Sequence, residues 1–69
     1  MNKLKIILND IPMEVPQGST VYDLVMLKNW RLVPMIIRID GRRIPKKEYS
    51  TTVLDKNQTV KIIPQFGGG

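Results

Sequence analysis

A chain of 69 residues without cysteine or histidine makes one small domain. It has no means of forming disulfides, thiolate nucleophiles, Cys/His metal sites or the usual neutral-pH general base. Its hydrophobic share of 42% is that of a globular chain, and its formal net charge of +5 invites an anionic partner, while no apolar run approaches the roughly 20 residues of a membrane-spanning helix.

Lys3 to Leu8 alternates as a strand should, with Leu4, Ile6 and Leu8 on one face. Asn9-Asp10 supplies a turn, and Ile11 to Val15 alternates again, so the two segments read as a hairpin. Pro12 cannot donate to a ladder, which predicts an edge position for the second strand. Pro16-Gln17-Gly18 breaks that strand. Ser19 or Thr20 then opens a helix: Thr20 followed three residues later by Asp23 approximates a capping box, and Val21, Leu24 and Val25 share one helical stripe. The stripe ends at Lys28, so the helix is expected to stop near Asn29, with Trp30 sealing the core edge at its exit.

Val33 to Ile39 reads as a third strand, and Asp40-Gly41 is the strongest hairpin signal in the chain. Arg42-Arg43-Ile44 starts the return strand and Pro45 stops it. Lys46 to Thr52 is polar and irregular, with one short helical turn expected at Lys47-Glu48-Tyr49. Asp55 to Gln58 is a turn, and Thr59 to Pro64 is the last strand. The fold class is therefore α+β, a small mixed sheet of four to five strands packed on one helix. A helix of about ten residues covers only one face of such a sheet. The open face is then expected to combine Ile7, Ile36 and Ile63 with Lys3, Lys5, Arg38 and Lys61, an apolar patch rimmed by charge and a candidate partner surface.

The chemistry left to the chain is sparse. Asp10, Glu14, Asp23, Asp40, Glu48 and Asp55 stand singly, without the spacing of a calcium loop or a glycosidase dyad. A domain this small also has little room for a substrate pocket, so a binding module or carrier is expected rather than an enzyme. The cations are dense only in "RRIPKK", Arg42 to Lys47, where Tyr49 is the single aromatic nearby. Single-strand nucleic-acid binders interleave exposed aromatics with their basic groups, so no nucleic-acid partner is expected. The apolar stretch of MNKLKIILND is too short for a signal peptide and no small-residue cleavage site follows it, so the expected location is cytoplasmic, without a membrane partner. The ending, Gln65-Phe66-Gly67-Gly68-Gly69, is the other unusual feature: alone it reads equally as a floppy tail.

Three stretches together carry a resemblance: "LNDIPMEVPQGSTVYDLV" (8–25), "IRIDGRRIPKKEYSTTVLDKNQTVKII" (37–63) and the ending "QFGGG". In these the chain resembles the ThiS/MoaD family of small sulfur carriers, which are ubiquitin-like β-grasp proteins. The middle stretch, a strand, an Asp-Gly turn, then Pro45 with Lys46-Lys47 before Tyr49, is the most specific part. The resemblance implies a β-grasp domain over 1–66 and a flexible reactive tail over 67–69. It implies a sulfur carrier for thiamine (thiazole) biosynthesis. An E1-like, ThiF-like partner using ATP and magnesium would adenylate the C-terminal carboxylate. A sulfur-donor protein such as a cysteine desulfurase would then convert it to a thiocarboxylate, and a ThiG-like thiazole synthase would receive the sulfur. The carrier itself, a monomer when alone, would hold no cofactor. The implied reactive end is Gly69 with Gly68 beside it, and Ile7, Ile36, Ile63, Phe66 and Gly67 to Gly69 would meet the partner. Glycines suit such a tail because the absence of Cβ allows close backbone approach in a narrow channel. The chain departs from the family in two ways: many members are neutral or acidic, and their usual ending has two glycines where this one has three. A carrier for another pathway (molybdopterin, cysteine or a specialised metabolite) and a ubiquitin-like protein modifier stay open as alternatives within the same fold.

Overall fold

The computed structural model describes residues 2–29 and 34–65. The expectations for Trp30, for Val33 as the start of a strand, and for Phe66, Gly67, Gly68 and Gly69 fall outside those residues. Strand β1 (Lys3–Leu8) pairs antiparallel with β2 (Ile11–Pro16), from Leu8↔Ile11 to Lys3↔Pro16. Asn9 and Asp10 close the hairpin with φ of 49° and 69°, the left-handed geometry that a two-residue hairpin turn demands and that these two side chains tolerate. After Gly18, at φ 92°, the chain enters helix α1 (Val21–Leu27).

The capping box forms as its spacing predicts. The Thr20 hydroxyl oxygen accepts from the Asp23 amide at 3.2 Å, and the Asp23 carboxylate accepts from the Thr20 amide at 2.9 Å. The next two helical N–H groups would be orphans in an isolated helix. Here Val21 donates to the Thr52 carbonyl and Tyr22 to the Tyr49 carbonyl, each at 2.9 Å. The helix start is thereby tied to the 49–54 loop, which also contributes the Thr20↔Val53 bridge.

Strand β3 (Met35–Ile39) turns at Asp40-Gly41 into β4 (Arg42–Ile44); a 3-10 turn (Lys46–Glu48) and a loop then lead to β5 (Thr59–Pro64). Asp40 and Gly41 have φ of 50° and 87°, again the two positive values of a tight hairpin. The sheet order is β2-β1-β5-β3-β4, with β5 parallel to β1 and antiparallel to β3. This is the expected helix on a mixed sheet, with Pro12 on an edge strand. Val21, Leu24 and Val25 of α1 pack on Ile6, Leu8, Val15, Ile37, Ile39, Ile44, Val60 and Ile62 of the sheet. Leu4, Met13 and Met35 are half-buried around them.

The structure differs from the sequence reading at several element ends: β2 runs on through Pro16, which pairs with Lys3, β3 begins at Met35 after Pro34, and α1 stops at Leu27. The helical turn is one residue earlier than expected, and the 46–52 segment is less polar in its role than in its composition. Tyr49 is only 9% exposed and joins the core with Leu54, so the ring beside the basic stretch is a packing residue rather than a free aromatic. No helix among the described residues is long and apolar enough to cross a membrane.

The parallel β1–β5 pairing is short, spanning Ile7↔Thr59 and Leu8↔Val60. Asn9 extends it. Its side-chain amide donates to the Ile62 carbonyl at 3.1 Å and its side-chain oxygen accepts from the Ile62 amide at 2.8 Å, as a further rung of backbone would. Asn9→Gly keeps the positive φ without strain and removes only this clamp. It is expected to cost about 1–3 kcal/mol, read as a lower urea midpoint with an unchanged slope.

Candidate functional site

The register of the ladders decides which side chains share the face away from α1. Residues directly opposite on neighbouring strands point to the same side. Ile6, Ile37 and Ile62 are buried, so their strand neighbours Ile7, Ile36, Arg38, Lys61 and Ile63 lie on the open face, as expected. Lys3 and Lys5 of β1 share it, with Glu14 opposite Lys5.

The structure brings only part of the expected apolar patch together. Ile36 and Ile63 are directly paired; Ile63 is 46% exposed and Ile36 is half-buried. Ile7 is paired with Thr59 instead, at the far end of β5 from Ile63, about 13 Å away at the ordinary rise of a strand. Between the two rows lies a third, which is cationic: Lys61↔Arg38 across β5 and β3, then Arg38↔Arg43 across β3 and β4. The open face is therefore a row with Ile36 and Ile63, a row of three cations, and a separate row with Ile7. Of the residues predicted for partner contact, Ile36 and Ile63 form one surface and Ile7 belongs to another part of the face. Phe66, Gly67, Gly68 and Gly69 lie outside the described residues.

The Ile36–Ile63 row is the one nearest the end of the fold. Pro64 pairs with Met35, and the Gln65 amide donates to the Pro34 carbonyl at 2.7 Å. The chain thus leaves the sheet from a fixed point immediately beside that apolar pair. Within the cationic row, Lys61 is bound to Asp10 at 2.9 Å, with that carboxylate itself 80% exposed. Arg43 was read only as part of the basic stretch 42–47. The two-residue Asp40-Gly41 turn could have placed it, because that turn alone fixes Arg38 opposite Arg43.

An open groove of about 690 Å³ runs between α1 and the sheet edge, bordered by Tyr22, Met35, Arg43, Ile44 and Tyr49. Burial pushes the Tyr49 phenol above its usual range, against the opposing pull of the Arg43 charge, so the phenol stays protonated at neutral pH and supplies no base there. Among the described residues no group of acidic side chains is close enough together to hold a metal ion.

No protein-family profile matches the chain, and no curated protein matches its sequence. Among solved structures the fold is similar to that of the thiamine biosynthesis protein ThiS from Geobacter metallireducens. The two share 16% sequence identity at a TM-score of 0.80, over 96% of this chain and 100% of that one. The ThiS-type β-grasp fold expected from the sequence is the fold observed.

Proposed function

We propose that this chain is a sulfur carrier of the thiamine (thiazole) type: a co-substrate of partner enzymes, built as a β-grasp domain over 1–66 and a reactive tail over 67–69. The observation that carries the reading is the join between fold and tail. Strand β5, paired on both sides, ends at Pro64, just before the glycines in the sequence, and the Ile36–Ile63 pair, with Ile63 exposed and Ile36 half-buried, stands beside that end. The ThiS-like fold supports it, as does a composition without cysteine or histidine. Such a chain offers a reacting carboxyl and leaves catalysis to others.

A carboxylate is ionised at neutral pH and is a poor electrophile. In this reading an E1-like partner, holding ATP and magnesium, joins the Gly69 carboxylate to AMP and releases pyrophosphate. Sulfide then attacks the acyl carbon, the C–O bond to AMP breaks with AMP as the leaving group, and the chain ends in a thiocarboxylate ready for a thiazole synthase. Ile36, Ile63 and Phe66 dock beside the channel while Gly67 to Gly69 enter it, where extended main chain adds its own hydrogen bonds. Intact mass spectrometry tests the reading: incubation with the cognate adenylating enzyme, ATP and sulfide is expected to add about 16 daltons, one oxygen exchanged for sulfur at the acyl carbon. An unchanged mass with an enzyme active on its own carrier overturns it. A stable adduct on lysines of other proteins would instead identify a modifier.

A further inference from the structure

Like charges directly opposite one another on adjacent strands destabilise a sheet, yet the open face aligns Lys61, Arg38 and Arg43 in consecutive register. The chain does little to relieve them. Its six acidic side chains all lie among the described residues, and the one ion pair there joins Lys61 to Asp10; none of these six carboxylates forms an ion pair with Arg38 or Arg43. Arg43, on the edge strand, also borders the helix-side groove, which leaves Arg38 at the centre of the row. The row lies next to the Ile36–Ile63 pair on the side away from the chain exit.

We infer that the protein surface which receives this chain presents carboxylates opposite the Lys61–Arg38–Arg43 row, so that an acidic strip on the partner sets the orientation in which the tail enters. The inference rests on the carrier reading and adds the chemistry of the partner's docking face. Charge complementarity favours it: with Lys3 and Lys5, the open face carries five cations against Glu14 and the Asp10 carboxylate at its rim. A protein fits this face better than a nucleic acid does. The row is flanked by isoleucine, and among the described residues the aromatic rings, Tyr22 and Tyr49, border the helix-side groove rather than the open face, so no described ring stacks beside Lys61 and Arg38 there.

The test is the rate of acyl-adenylate formation by the purified adenylating partner, with the full chain as varied substrate. Arg38→Glu and the double variant Arg38→Glu/Arg43→Glu are compared with the unaltered chain at low and moderate salt. The double reversal is expected to raise KM by about tenfold or more with kcat unchanged. The unaltered chain's KM is expected to rise from about 50 to about 300 mM NaCl, a dependence the variant loses. Thermal melts of the variants, and of Arg38→Gln/Arg43→Gln, are expected to be no lower than that of the unaltered chain, since the substitutions relieve repulsion. A KM unmoved by reversal while the unaltered chain turns over overturns the docking assignment and leaves the carrier reading standing. No turnover of the unaltered chain overturns both. Tight, salt-sensitive binding to a single-stranded oligonucleotide, lost on reversal, would show the row to be a nucleic-acid contact and overturn the protein assignment.

Discussion

A chain lacking Gly68 and Gly69 is expected to form no thiocarboxylate while melting at the temperature of the full chain. The two outcomes separate because the last backbone hydrogen bond of the described fold is the one from Gln65 to Pro34. Truncation after Gly67 removes none of the described contacts. It still leaves a glycine carboxylate, so the chemistry of the end is unchanged and only its reach is altered. Two residues of extended chain span about 7 Å, whereas reacting atoms must approach to about 3–3.5 Å. The shortened end therefore stops well outside attack distance of the bound nucleotide. Deleting Gly69 alone gives an end in Gly67-Gly68 and reads which pair of glycines fits the channel. The measurement is the mass shift on incubation with ATP, sulfide and the adenylating enzyme. A full shift from the doubly shortened chain would remove the tail from the mechanism.

Substitution of Ile37 by alanine is expected to have the largest effect on the fold itself. Ile37 is fully buried at the middle of β3 and is paired with Ile62 on one side and Ile44 on the other. Removing its side chain costs the transfer of the lost methyl and methylene groups plus the cavity left behind, about 2–5 kcal/mol. A domain of 69 residues has only roughly 3–10 kcal/mol in total at the usual stability per residue. The variant is expected to lose a large share of that stability, read as a lower melting temperature by circular dichroism and a lower urea midpoint. Ile63→Ala, on the exposed face of the neighbouring strand, serves as the control and is expected to melt close to the unaltered chain.

Most of the fold was legible because its signals are local. Asn9-Asp10 and Asp40-Gly41 announce two-residue hairpins, Thr20 with Asp23 announces a helix start, and alternation sorts each strand into two faces. Each of these is a property of a few adjacent residues, and each appears in the structure as read. The order of the strands follows less directly, since β5 lies between β1 and β3 without a turn to either. For the same reason the distance between Ile7 and the Ile36–Ile63 pair was not legible. Alternation puts Ile7 on the open face correctly, but its distance from Ile63 depends on the parallel β1–β5 register, which no turn residue encodes. Tyr49 and Leu54 were missed as core because they sit in an irregular loop with no period to mark a buried face. Arg43 is the opposite case: the Asp40-Gly41 turn fixes its partner, so the cationic row was available to a register argument. The tail, where the proposed chemistry resides, was legible only as composition and resemblance.

The central position of β5 has a mechanical consequence. A force drawing the chain outward along β5 loads its ladders to β1 and β3 in shear, the short β1 ladder and the longer β3 ladder together rather than one rung at a time. The Asn9 clamp on Ile62 lies on that load path. Helix α1 and the 49–54 loop, which are tied to each other through the helix start, lie off it. A lengthwise force on this end is therefore shared by two ladders, whereas the same force on β2 or β4 is borne by one.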